Sequence, residues 1–274
     1  MKVLVVTKKN ISRGKATLKS LTTLLDKKKI DYHVVGFDEV DDYYNKIHDK
    51  KYKEKFELLL SFGGDGTILK SARVARKLDI PILGVNVGTV GFLTTINDFE
   101  DLDAALDKVK KKNFIFEERS MISVEVLRND ETVFRAYAVN EATFMTSNLS
   151  KIGKYKILIG EEKSLFTKLS ADGVIVATPT GSTAHSLSAG GPIVTPNVNC
   201  LLITPLYPHT INQRSFVISD NKELYVEMLS DKQVVDIDGR VDFELNKSDL
   251  DFSSISLISV YIELPGPMLP FLSH

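Results

Sequence analysis

Seven residues between an apolar run and an amphipathic stretch constrain this chain more than any others. Leu58-Leu59-Leu60 reads as a buried strand and Ile68-Leu69-x-x-Ala72-x-x-x-Arg76 as a helix face, and Ser61-Phe62-Gly63-Gly64-Asp65-Gly66-Thr67 joins them. Gly63, Gly64 and Gly66 let the backbone turn sharply and approach a ligand without Cβ contacts. N–H groups at the start of the helix then face outward, where an anion is favoured. The side chain held among the glycines is nevertheless a carboxylate, Asp65, which repels phosphate. A base, or a group that holds a hydroxyl, accounts for it. A tight turn with Asp as a local cap is the plainer alternative. Gly-Gly on one side and Gly-Thr on the other, at the carboxyl end of a hydrophobic strand, weigh towards function.

The surroundings of this loop alternate in type. Val3 to Val6 reads as a strand, Ser12 to Lys28 as a helix with Leu18, Leu21, Leu24 and Leu25 on one face, and Tyr32 to Val35 as a strand. Asp41 to Lys55 is polar, a surface helix or loop; Thr67 to Leu78 is helical, and Pro81 to Val85 is another strand. Buried strands alternating with helices define a parallel sheet covered on its faces. Ligands of such sheets bind beyond the carboxyl ends of the strands, where both the glycine loop and Asn86 to Gly91 fall.

After the helix Asp101 to Lys110 the pattern changes. Met121 to Leu127 alternates, Arg128-Asn129-Asp130-Glu131 reads as a hairpin turn, and Thr132 to Val139 returns. Short strands follow at Tyr155 to Ile159, Val174 to Ala177, Cys200 to Thr204, Phe216 to Ile218, Leu224 to Met228 and Gln233 to Ile237. The expected architecture is an α/β domain with a parallel sheet over residues 1–98, then a mainly β, sandwich-like domain over 99–254. The boundary falls near 97–101. For the segment 255–274, periodicity leaves open whether Ile255 to Leu264 returns to the first domain.

Charge narrows the function classes. Lys and Arg number 35 against 36 Asp and Glu in 274 residues, which argues against a dedicated binder of nucleic acid or membrane surfaces. Lys27-Lys28-Lys29 and Lys110-Lys111-Lys112 each end a helical pattern and read as solvated helix termini. The single cysteine, Cys200, has no internal disulfide partner and reads as a buried thiol of a reducing compartment. Met1-Lys2-Val3-Leu4-Val5-Val6 is too short and too soon charged for a signal peptide, and no apolar stretch is long enough to cross a bilayer. A cytoplasmic protein is expected.

The second half carries chemistry of its own. Asp172-Gly173 precedes a strand that runs into Thr178-Pro179-Thr180-Gly181-Ser182-Thr183-Ala184-His185-Ser186-Leu187-Ser188-Ala189-Gly190-Gly191-Pro192. Hydroxyls both donate and accept, so such a stretch suits a nucleobase edge or ribose; a Ser/Thr-rich surface loop is the plainer alternative. Asn140-Glu141 sets an amide beside a carboxylate, a pair suited to a vicinal diol.

Taken together these motifs resemble the NAD kinase family. Gly63-Gly64-Asp65-Gly66-Thr67, Gly84-Val85-Asn86-x-Gly88-x-x-Gly91-Phe92-Leu93, Asn140-Glu141, Asp172-Gly173 and Thr178 through Pro192 stand in that family's order and spacing. Pro205-Leu206-x-Pro208-His209-Thr210, Arg214 and Asp238-Gly239 continue the match, so the resemblance covers about residues 58 to 240. It implies transfer of the terminal phosphate of ATP to the 2′-hydroxyl of the adenosine ribose of NAD, giving NADP. Asp65 matches the proton acceptor; Gly63, Gly64, Gly66 and Thr67 match the loop shared with the donor phosphates. Lys70 sits one helical turn further, where a cation could reach a phosphate, with a solvated helix lysine as its alternative. Phe92 and Lys154 join the nucleotide-binding set, and Asn140 and Glu141 match residues holding the ribose. Asp172, Thr183, Ala184, His185, Ser186, Leu187 and Ser188 match residues around the adenine and the nicotinamide end, with His209 near the dinucleotide. The family usually has Tyr where this chain has His185, a smaller ring of a type that titrates near neutral pH. By the same resemblance Mg²⁺ accompanies ATP, polyphosphate stays open as a donor, no dedicated metal cluster is expected, and the chain forms a homodimer or homotetramer.

Two other classes compete. A lipid or sphingoid kinase shares the glycine loop but wants an apolar cleft, which the Ser/Thr-rich block opposes. A non-catalytic NAD-binding protein has little use for a carboxylate among phosphate-binding glycines. The dehydrogenase fingerprint fails, because Gly84, Gly88 and Gly91 have the wrong first interval.

Overall fold

The computed structural model describes residues 1–8, 12–13, 16–47, 56–87, 91–97, 99–128, 131–147, 151–229, 233–245, 257–262 and 271–273. The sequence readings at 48–55, Gly88 and the Asn129-Asp130 turn lie outside them. The chain forms two compact units, Met1–Arg119 with Gly266–His274, and Ser120–Pro265.

In the first unit the elements are β1 (Lys2–Thr7), a two-residue ladder of β2 (Ser12–Arg13) and β3 (Ala16–Thr17), α1 (Leu18–Lys27), β4 (Asp31–Gly36) and α2 (Val40–Lys46). They continue as β5 (Leu58–Gly63), α3 (Asp65–Leu78), β6 (Ile82–Asn86), α4 (Phe99–Lys110) and β7 (Ile115–Glu117). The sheet runs β4-β1-β5-β6, all parallel, then the late segment Phe271–Ser273, then β7. That late segment is parallel to β6 and antiparallel to β7. Strand periodicity divides the side chains between the faces. Val3, Val5, Leu58, Leu60, Leu83 and Val85 share a core with Leu21 and Leu25 of α1 and Leu102 and Leu106 of α4. On the opposite face α3 buries Ile68, Ala72 and Ala75, and Ile68 lies so close over Gly84 that a methyl there would overlap it.

Two expectations are corrected here. The helix begins at Leu18 rather than Ser12, because Thr17 caps it: the Thr17 hydroxyl accepts the Ser20 N–H at 3.0 Å, and Ser20 Oγ returns the bond to the Thr17 N–H at 2.9 Å. The first unit extends to Arg119 rather than ending near 97–101, since Leu102 and Leu106 are fully buried in its core.

The second unit is a sandwich of two antiparallel sheets. Its strands are β8 (Ile122–Arg128), β9 (Glu131–Ala138), β10 (Glu141–Thr146), β11 (Gly153–Ile159), β12 (Ser164–Ala171) and β13 (Gly173–Ala177). After the short helix α5 (His185–Ser188) come β14 (Cys200–Leu206), β15 (Phe216–Ser219), β16 (Leu224–Met228), β17 (Gln233–Ile237), β18 (Val241–Leu245) and β19 (Leu257–Ile262). One sheet has the order β15-β14-β13-β10-β17-β18 and the other β12-β11-β16-β19-β8-β9. Phe144, Val174, Val176, Leu201, Ile203 and Val235 of the first meet Ile122, Val124, Ile157, Leu224 and Val226 of the second in one core. The sequence left Ile255 to Leu264 open; Leu257–Ile262 stays in this sandwich, between β16 and β8, and β20 (Phe271–Ser273) is the segment that returns to the first sheet.

Candidate active site

Asp65 opens α3 directly after β5, with Gly64 as the extended residue before the helix. Its carboxylate does not cap its own helix. Oδ2 accepts the Phe92 N–H at 2.8 Å and Oδ1 the Leu93 N–H at 3.1 Å. Gly91 lies against the same carboxylate, where any Cβ would overlap Oδ1, Cγ and Oδ2. Gly63 is equally crowded by the buried Thr67 side chain, whereas Gly64 and Gly66 face open space. Thr67 is fixed from behind, its carbonyl accepting the Ser71 hydroxyl at 2.7 Å. The glycine loop therefore has a packed side towards Thr67 and an open side at Gly64 and Gly66. Phe92 projects its ring outward, 76 % exposed. Lys70 pairs with Asp41 at 3.0 Å and stands over the Phe37 ring, so it is tied to α2 rather than solvated.

In the second unit the chemistry gathers at the corner between β9 and β10. Val139, Asn140 and Glu141 donate their backbone N–H groups to the single carboxylate of Asp238, at 2.9, 2.8 and 3.1 Å. Asp238 and Gly239 both have positive φ and close the β17–β18 hairpin, with Ile237 and Arg240 exchanging backbone bonds. The loop after β13 is pinned to the same corner. The Thr178 hydroxyl donates to the Val139 carbonyl at 2.6 Å, and the Thr178 N–H donates to the Asn140 carbonyl at 2.8 Å. Gly181 packs on that Asn140 carbonyl with no room for a Cβ.

Glu141 is the electrostatic centre of this corner. It is 5 % exposed, and its Oε2 finds no hydrogen-bond partner among the described residues. Burial, with the Asp238 and Asp236 carboxylates nearby, pushes its carboxyl up to about 8, against the opposing pull of the His185 backbone N–H. At neutral pH Glu141 is thus mostly a neutral acid that donates as well as accepts.

The remaining sequence-named residues separate into groups. Thr183, Ala184 and the exposed His185, Leu187 and Ser188 follow the pinned loop on the same side of β13. Ser186 turns inward and bonds the Thr204 hydroxyl at 2.9 Å. Asp172 and His209 meet at 3.5 Å, at the other end of β13, with Lys154 in register with nearby Ser170. A five-residue strand separates them from the Asn140–Glu141 corner, roughly 15 Å along the sheet. Asp238 was legible as a motif but not as the clamp of the corner; the Asp-Gly hairpin signal was there, but its partner lies 98 residues away.

The first unit thus presents a glycine-framed acid after a parallel strand, and the second a buried acid at a corner of its sandwich. Comparison with known proteins gives the family. Residues 4–114 match the ATP-NAD kinase N-terminal domain, and residues 139–253 match the ATP-NAD kinase C-terminal domain. The NAD kinase of Carboxydothermus hydrogenoformans is 38% identical over 198 residues, 72% of this chain and 70% of that one. Among solved structures, a yeast NADH kinase complexed with NADH has a TM-score of 0.80 at 23% identity, covering 100% of this chain and 84% of that one. An Archaeoglobus fulgidus NAD kinase in complex with ATP has a TM-score of 0.71 at 24% identity, covering 100% and 93%. The chain belongs to the NAD kinase family.

Proposed function

We propose that the protein transfers the terminal phosphate of ATP to the 2′-hydroxyl of the adenosine ribose of NAD, producing NADP and ADP. The observation that carries this is Asp65, a carboxylate set among Gly63, Gly64 and Gly66 at the carboxyl end of a parallel strand. The ribose oxygen attacks the terminal phosphorus, ADP leaves, and the hydroxyl proton passes to Asp65. Asp65 orients the hydroxyl and accepts its proton late, a role worth roughly 10²–10⁴ in rate. The open Gly64–Gly66 backbone receives donor phosphates, and Mg²⁺ arrives as part of the ATP substrate, held mainly by phosphate oxygens and water.

Asn140 and Glu141 hold the ribose of NAD. A diol needs both an acceptor and a donor, and a neutral Glu141 carboxyl supplies both. Thr183, Ala184, His185, Leu187 and Ser188 line the nucleotide. By likeness to its family the protein forms a homodimer or homotetramer, and Asp172, His209 and Lys154, at the far end of β13 from the Asn140 corner, bind a more distant part of the nucleotide; sedimentation velocity tests the assembly. Among the described residues no helix is long and apolar enough to cross a membrane, in keeping with a protein working in the cytoplasm.

Incubation with ATP, Mg²⁺ and NAD, followed by chromatography, should yield NADP. Asp65→Asn, nearly isosteric, should lower turnover by roughly 10²-fold or more while leaving NAD binding within about threefold. Turnover comparable to wild type in that variant would remove Asp65 as the proton acceptor.

A further inference from the structure

The Asp65 carboxylate leans on a second loop that has no reacting group of its own. Oδ2 takes the Phe92 N–H at 2.8 Å and Oδ1 takes the Leu93 N–H at 3.1 Å, so each oxygen is bound once by backbone. One lone pair on each oxygen is left for a ligand. A side chain with two free torsions is thereby held in one orientation by donors that cannot rotate. The approach is possible because residue 91 is glycine: a methyl there would overlap all three carboxylate atoms. Beyond Leu93 the chain is tied back to β6, where the Asn86 N–H donates to the Ile96 carbonyl at 2.7 Å.

We propose that Gly91 and the backbone N–H groups of Phe92 and Leu93 form a positioning cradle that sets the angle from which Asp65 meets the substrate hydroxyl. The proposal rests on Asp65 as the proton acceptor. A carboxylate fixed this way loses no orientational freedom at the moment of reaction, and misplacement by about 1 Å costs roughly 10²-fold in rate. The cradle acts on turnover rather than on affinity, because it works through Gly91 and two backbone N–H groups that face Asp65, not through the exposed Phe92 ring assigned to the nucleotide.

Steady-state kinetics of four variants test this. Gly91→Ala should reduce kcat by about 10- to 100-fold, with KM for NAD and ATP within about threefold of wild type. In the Asp65→Asn background, where the acid is already gone, Gly91→Ala should add less than about twofold. Asp65→Glu keeps the charge but moves the carboxylate out of reach of the two amides, and should lose turnover about as heavily as Asp65→Asn. If Gly91→Ala does not fold, Asp65→Glu decides the matter alone. A Gly91→Ala enzyme with raised KM and unchanged kcat, full multiplication of the two single effects in the double variant, or an Asp65→Glu enzyme near wild type would each overturn the cradle. Those results leave Asp65 as acceptor intact, whereas full activity in Asp65→Asn overturns both.

Discussion

At the residue scale, Glu141 carries the clearest pH signature. Its ordinary value is 4.5 and in the folded chain it is near 8, so between those limits the folded state holds a proton that the unfolded chain has released. The stabilisation that this proton confers is complete below about 4.5 and lost as pH rises through about 8. The shift corresponds to a few kcal/mol, on the order of 3–5. Glu141→Gln, which keeps the shape and stays neutral, should therefore gain stability relative to wild type as pH is raised from about 5 to about 8.5. Thermal melts of both proteins across that range measure the difference; parallel curves would mean that Glu141 ionises freely where it stands. Sequence could name Glu141 beside Asn140, since an adjacent amide and acid are readable directly. It could not foresee the neutral form, which depends first on burial and then on Asp238 and Asp236 arriving from a turn and strand nearly a hundred residues later. Lys70 shows the same limit from the other side, because its partners Asp41 and Phe37 come from a different part of the first unit.

At the scale of elements, one side chain from a hairpin takes all three N–H groups of the β9–β10 corner, whose Val139 and Asn140 carbonyls Thr178 holds. Asp238→Ala leaves the N–H groups of Val139, Asn140 and Glu141 without their shared acceptor. Roughly 3 kcal/mol of stability should be lost, as urea denaturation would register, and the KM for NAD should rise while that for ATP stays within about twofold. A stability change below about 0.5 kcal/mol would show that water replaces the carboxylate without cost. Elements with a single strong period were legible from the sequence: β5, α3, β6, β13 and β16 all sit where apolar runs or helical spacing put them. Those that blend in were not. β12 is an edge strand whose first half is exposed, so Ser164-Leu165-Phe166-Thr167 shows no buried face. β10 is central and buried on both sides, but opens with Glu141 and carries Thr143 and Thr146, which mask its hydrophobicity. The capped start of α1 was hidden for a further reason: Ser12 to Thr17 is rich in polar residues compatible with a helix, and only the Thr17–Ser20 exchange marks the true beginning.

At the scale of the whole molecule, each unit owns a core, yet the chain passes from the first unit to the second after Arg119 and back after Pro265. Removing residues 266–274 takes away β20, the strand between β6 and β7. Such a truncated chain should melt at lower temperature, and hydrogen exchange should accelerate in β6 and β7 while β13 and β14 remain protected. Equal exchange in β6 with and without the tail would mean that β20 adds no support. Period alone could not reveal this return, because Phe271-Leu272-Ser273 is too short to show any. The late arrival of β20 also matters during synthesis. Most of the first unit is translated by Arg119, but β6 at Ile82 waits for Phe271, about 150 residues later. Between the synthesis of Arg119 and that of Phe271, the Ile82 end of an apolar parallel strand stands without its later partner, the condition under which nascent chains pair wrongly or call on chaperones.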